Sequence, residues 1–151
     1  MDYTIVELEE KTLVGIGTRT KNSDPKMQET IGGLWKNFFE KGYRVSIPLQ
    51  KGTHTIALYD AYESDVNGEY DITVGVETIE SGQNPEECIV KKIPAGRYAK
   101  FIVKGNMQKA IGVFWEEFWK MKSVQRSYKA DFEEYLNADP ENCEIHIYIG
   151  I

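Results

Sequence analysis

Apolar and polar residues alternate from Tyr3 to Glu9 and again from Thr12 to Thr20 across the charged turn Glu9-Glu10-Lys11. This predicts an antiparallel hairpin with one buried face. The period then changes. Met27, Ile31, Leu34, Trp35 and Phe38 recur at helical spacing, after the cap-forming run Asn22-Ser23-Asp24-Pro25 and ahead of the stop Lys41-Gly42. With proline suited to the first helical position, a helix over about Pro25 to Lys41 follows. Tyr43 to Gly52 fits neither period, contains Pro48, and reads as a loop or a short helical turn. Alternation returns over Thr53 to Tyr62 and Tyr70 to Ile79, joined by a segment carrying the Asn67-Gly68 turn signal, so these form a second hairpin.

Beyond the polar linker Glu80 to Glu86 the same order recurs. Cys88 to Ile93 and Tyr98 to Val103 flank the turn Pro94-Ala95-Gly96-Arg97 and match the opening hairpin. A helix then runs from the cap residue Asn106 to about Lys122. Its centre, Ile111-Gly112-Val113-Phe114-Trp115-Glu116-Glu117-Phe118-Trp119, repeats the pattern of Ile31-Gly32-Gly33-Leu34-Trp35-Lys36-Asn37-Phe38-Phe39. Arg126 to Leu136 stands in the place of Thr53 to Tyr62, with Asp131-Phe132-Glu133 aligned on Ala61-Tyr62-Glu63. Cys143 to Ile151 matches Asp71 to Val76. Two β-β-α-β-β units, over about residues 1–80 and 87–151, therefore predict an α+β fold. Its antiparallel sheets pair about a pseudo-two-fold axis, with a ligand cleft where the repeats meet.

At 151 residues the chain suits one domain, and 41% apolar with 28% charged residues is a composition that folds. A net charge of −6 and a pI near 5.0 argue against unaided binding of nucleic acid or anionic lipid and favour cationic or neutral ligands. The start MDYTIVELEE is not a signal peptide, and no run is apolar enough to span a bilayer, so a cytoplasmic protein without membrane contact is expected. Cys88 and Cys143 stand alone, and His54 and His146 lack neighbouring ligands or nucleophiles. Neither a metal nor a cofactor is expected.

Four stretches, in order, carry a family resemblance. They are Ala57-Leu58-Tyr59-Asp60-Ala61-Tyr62 ahead of Tyr70 to Glu77; the block Val90-Lys91-Lys92-Ile93-Pro94-Ala95-Gly96-Arg97-Tyr98-Ala99; Asp131-Phe132-Glu133-Glu134-Tyr135-Leu136; and Pro140 to Ile149. Together with the internal duplication they resemble the GyrI-like small-molecule-binding family. That family includes effector-binding domains of AraC-type and multidrug-sensing regulators and single-domain relatives that interact with DNA gyrase. The resemblance covers essentially the whole chain. It implies an aromatic cleft between the repeats and an acidic residue on a strand near the carboxy terminus, here Glu133. Two repeats filling the chain leave no room for the helix-turn-helix fused in the regulators, which points to a stand-alone sensor or sequestering protein.

Glu133 is the leading candidate, facing either the cleft or water. Glu134 has the opposite facing on a regular strand. Trp115 and Trp119 share one helix edge, as Trp35 and Phe39 do in the other copy, and Tyr59, Tyr62 and Tyr98 belong to strands bordering the cleft. All of these rings suit either a core or a pocket for flat or cationic ligands. Glu63 and Glu77 enter only through their position in the repeat. Binding of a small aromatic or cationic molecule is the primary reading. Hydrolysis of strained electrophilic genotoxins, which some GyrI-like relatives carry out with an aromatic cage, is the alternative, with Glu133 positioning or activating water. A partnership with gyrase or a separate transcription regulator is the third.

Overall fold

The computed structural model describes residues 1–151 and places eight strands in one antiparallel sheet of order β1-β6-β8-β7-β3-β4-β2-β5. The strands are β1 (Thr4–Leu8), β2 (Lys11–Lys21), β3 (Gln50–Asp60), β4 (Glu69–Thr78), β5 (Ile89–Ile93), β6 (Gly96–Gly105), β7 (Ala130–Tyr135) and β8 (Cys143–Gly150). Helices α1 (Met27–Glu40) and α3 (Met107–Lys120) pack on the two halves, α1 against β2 and β4, α3 against β6 and β8; a single turn, α2 (Tyr43–Ser46), follows α1. No helix is long and apolar enough to cross a membrane.

The expected hairpins β1–β2 and β5–β6 do not form. β1 instead pairs with β6, from Thr4↔Lys100 to Leu8↔Gly96, and β5 pairs with β2, from Lys11↔Ile93 to Gly15↔Ile89. Each repeat thus lends its first strand to the edge of the other. Alternation fixes which face of a strand is buried and leaves its partner open. The links are short: from Leu8 to Lys11 the chain spans at most about 11 Å, yet β1 and β2 lie near opposite ends of the sheet. The sheet is therefore strongly curled. Val6 and Leu8 of β1 accordingly meet Leu13 of β2 and Ile93 of β5 in an apolar cluster on the face turned away from the helices.

The second-repeat helix begins as its sequence predicts, with Asn106 Oδ1 accepting from Lys109 N at 3.1 Å. In the first repeat Pro25 stays outside the helix; Asp24 Oδ1 accepts from Lys26 N at 2.9 Å, and α1 starts two residues later than expected without a side-chain cap. Leu34 and Phe38 of α1 and Phe114 and Phe118 of α3 are buried against the sheet. Strand β7 begins at Ala130 and not at Arg126, because Tyr128 takes a left-handed backbone (φ 56°) that breaks extension.

Aromatic contacts establish the equivalence of the halves. Trp35 meets Tyr135 edge-on (centroids 4.8 Å, 74°) and Trp115 meets Tyr59 in the same way (5.7 Å, 68°). Tyr59 and Tyr135 are therefore mates, 76 residues apart, while the helices are 80 apart. The four residues of α2, which has no counterpart after α3, account for the difference. By this spacing Glu133 is equivalent to Ala57, correcting the alignment with Glu63. Ala57 and Glu133 face each other in the β3–β7 ladder, so the axis passes between them.

Candidate functional site

Between α1 and α3, above the β3–β7 seam, lies a cleft of about 660 Å³. That volume falls within the range of drug-sized ligand sites. Its walls are matched pairs: Met27, Ile31 and Trp35 on α1, and Met107, Ile111 and Trp115 on α3, each pair 80 residues apart. The helical spacing that buries Leu34/Phe38 and Phe114/Phe118 beneath turns this second stripe toward the cleft.

Glu133 forms the floor. Neighbours on a strand point to opposite faces, so Phe132 enters the apolar cluster behind the sheet and Glu133 points between the helices. Only 1% of Glu133 is exposed. Its Oε2 accepts from Trp115 Nε1 at 2.8 Å and from Tyr59 OH at 3.0 Å, and its Oε1 accepts from Tyr135 OH at 2.7 Å. Three neutral donors surround the carboxyl, and no cation pairs with it. Burial raises its pKa above the usual glutamate value, against the opposing pull of the Trp115, Tyr135 and Tyr59 hydrogen bonds. Burial and the nearby Glu133 charge push the hydroxyls of Tyr59 and Tyr135 far above the ordinary tyrosine value, so they remain donors.

A second acid, Asp131, lies two residues earlier on the same face and is wholly buried. Its situation is different: Oδ2 accepts from Arg126 Nη2 at 2.6 Å and Tyr62 OH at 2.5 Å, and Oδ1 accepts from Gly150 N at 3.0 Å. Arg126 stacks over Tyr128 at 4.3 Å and lines the cleft with Tyr62. One carboxylate of the pair is thus neutralised and the other is not.

Among the residues singled out from sequence, the fold gathers Glu133, Trp115, Trp35, Tyr59 and Tyr62 around this cleft, with Trp119, 48% exposed, at its mouth. Phe39 lies outside, stacked on the outer side of Trp35 (6.2 Å, 13°). Tyr98 is on the opposite face of the sheet, against Phe132 and Tyr148, with its hydroxyl donating to Pro94 O at 2.6 Å. The reason is parity: Ala99 and Phe101 take the helix side of β6, which leaves Tyr98 the other. Glu63 is exposed in the β3–β4 connection, Glu77 pairs with Lys11 at 3.4 Å, and Glu134 faces His54 at 3.1 Å on the side away from the cleft. No three His, Cys, Asp or Glu side chains converge as a metal site requires.

Tyr135, Asp131 and Arg126 join the site although the sequence pattern singles out none of them. For the first two the signal was available, since both share the facing of Glu133 at i±2. For Arg126, in an irregular segment, there was none.

Residues 4–151 match the family described as Cass2, integron-associated effector binding protein. YobU of Bacillus subtilis (strain 168) is 30% identical over 155 residues, covering 97% of this chain and 96% of that protein. Among solved structures, the integron cassette protein VCH_CASS2 from the mobile metagenome of Vibrio cholerae superposes with a TM-score of 0.79 at 28% identity. That alignment covers 98% of this chain and 94% of the cassette protein. SAV2435, solved bound to tetraphenylphosphonium, superposes with a TM-score of 0.73 at 21% identity over 99% of this chain and 94% of its own, a likeness of fold. With nearly its whole length matched, the chain belongs to the integron-associated effector binding (Cass2) family, a GyrI-like family of small-molecule-binding proteins.

Proposed function

We propose that this protein captures a lipophilic aromatic cation in the cleft between α1 and α3, as a sensor or sequestering protein, with Glu133 as the counter-charge. The observation that carries this reading is the state of Glu133: buried, hydrogen-bonded by three neutral groups, and without a cationic partner. Taking a carboxylate out of water costs several kcal/mol, and neutral donors offset only part of that. A bound cation supplies the rest. Trp115, Trp35 and Tyr59 add ring faces and edges, with cation–π attraction of roughly 0.5–2 kcal/mol for each well-placed ring. The binding of tetraphenylphosphonium by SAV2435, a relative in fold, supports a ligand of this class.

Titration with tetraphenylphosphonium, followed by quenching of tryptophan fluorescence, tests the reading. Saturable binding is expected, weakened about tenfold or more by Glu133→Gln, which removes the charge and keeps the shape. Absence of saturable binding, or equal affinity in Glu133→Gln, would sink it.

A further inference from the structure

The wall of the cleft is cut away at one place on each helix, and nothing in the protein's own packing calls for it. Next to the stripe of Ile31 and Trp35, α1 presents Gln28 and then Gly32 to the cleft; α3 presents Gln108, Gly112 and, two turns on, Trp119. Gly32 and Gly112 are mates 80 residues apart, so the pseudo-two-fold axis sets one notch in each wall. Inside a helix glycine is the poorest residue after proline, because it loses the most backbone freedom on folding. Close packing would justify it, yet a Cβ at either position would have nothing within 4 Å. Gly33 supplies the contrast. It also has open space around it but lies outside the cleft, and its mate is Val113, 58% exposed. Away from the cleft one repeat carries a side chain; at the cleft both repeats omit it.

We propose that Gly32 and Gly112 are specificity-determining positions, at which rings of the ligand lie directly on the bare backbone of both helices, and that they select a cation wrapped in several rings over a flat one. The proposal rests on the reading of the cleft as a cation site, in which Glu133, buried and aimed into the same cavity from its floor, holds the charged centre. A flat cation between Trp35 and Trp115 fills the gap between the inner stripes and has nothing to place in the notches. A centre carrying rings in tetrahedral directions behaves differently. Rings that cannot pass down beside the tryptophans project toward both walls, where glycine lets the backbone come close to a ligand. A Cβ methyl would hold such a ring off by about one bond length, ~1.5 Å, and forfeit much of the contact. Two notches, one in each wall, therefore fit one ligand that reaches both helices at once.

Calorimetric titration with tetraphenylphosphonium and with N-methylacridinium, a flat cation of permanent charge, tests this. Wild type is expected to bind the flat cation more weakly. Gly32→Ala/Gly112→Ala should melt higher than wild type, by roughly 2–4 °C for each alanine. It should nonetheless bind tetraphenylphosphonium about tenfold more weakly while losing no more than about twofold for N-methylacridinium. Gly33→Ala should also melt higher and keep tetraphenylphosphonium affinity within about twofold, which separates a lost ligand contact from a stiffer helix. A second measurement needs no variant: in wild type, bound tetraphenylphosphonium should shift the Hα resonances of Gly32 and Gly112 upfield by ring current and leave those of Gly33 in place. Four results overturn the proposal while Glu133→Gln still weakens binding: tetraphenylphosphonium affinity of the double variant within about twofold of wild type, a lower melting temperature for that variant, glycine signals that stay in place, or a flat cation that binds wild type as tightly. If tetraphenylphosphonium does not bind wild type, or binds Glu133→Gln equally well, the cleft reading falls and this proposal falls with it.

Discussion

Ala57 and Glu133 face each other across the β3–β7 seam, on the axis that relates the two repeats. An exact duplication would set two identical side chains against each other there, and two carboxylates at that spacing cannot both stay ionised. The pair is resolved as a small residue and a charged one. Tyr59 and Tyr135, mates across the axis, reach the single carboxylate from its two sides.

Ala57 is fully buried, so enlarging it has to displace its neighbours. Ala57→Leu should cost about 1–3 kcal/mol in chemical denaturation and reduce tetraphenylphosphonium affinity by about tenfold or more, because Glu133 is pushed off its three donors. Ala57→Ser should leave binding within about twofold. Equal affinity in the leucine variant would show that the carboxylate position is not set by this contact.

How far these features could be read from the sequence depends on what alternation encodes. It located all eight strands, and the 3.6 period located α1 and α3, since both report which face is buried. It could not report that β1 pairs with β6, because partner choice comes from the curl of the whole sheet. The same limit separates Tyr59 from Tyr98: both are strand tyrosines, and only the register of their strands beneath the helices puts one by Glu133 and the other behind the sheet. Glu133 was legible because a charged residue next to Phe132 leaves two facings to choose from and the resemblance favoured one. Arg126 was not, because it reaches the cleft from a segment bent at Tyr128, where no period holds.

The face behind the sheet should govern stability without governing binding. Phe132 stacks on Tyr148 (4.5 Å, 12°) and meets Tyr98 edge-on. Phe132→Ala is expected to cost about 3–5 kcal/mol. Tyr98→Phe, losing the bond to Pro94 O, should cost about 1 kcal/mol. Tetraphenylphosphonium affinity of the folded Tyr98→Phe protein should match wild type. A tenfold loss in that variant would return Tyr98 to the ligand site.

Gly15 and Gly75 are opposed in the β2–β4 ladder, where the backbones approach too closely for side chains. A Cβ on Gly15 would lie 2.0 Å from Val74 O, a backbone atom that can retreat only by breaking the ladder. Gly15→Ala should therefore lose about 3 kcal/mol or more. Gly33 on α1 has nothing within 4 Å of its would-be Cβ, and Gly33→Ala should gain up to about 1 kcal/mol through helix propensity. Thermal melts of the two variants should move in opposite directions.

Glu133 also couples the site to pH, and the sign follows from its raised pKa. In the folded protein the neutral acid is favoured relative to the unfolded chain, where glutamate titrates near 4.3. Its contribution to stability is complete below that value, is lost as pH rises through the folded pKa, and is constant above it. Apo wild type should thus lose stability relative to Glu133→Gln across that window, and taking the difference between the two proteins cancels groups such as Asp60, whose carboxyl is also raised. Cation binding has the opposite slope. In the proposed cation site the ionised form is the binding form, so tetraphenylphosphonium affinity should climb with pH through the same window and then level, while Glu133→Gln stays flat. Within the window, binding should release a proton, which calorimetry in buffers of different ionisation enthalpy would detect. Parallel pH profiles for wild type and Glu133→Gln would mean that the buried carboxyl does not titrate with the ligand.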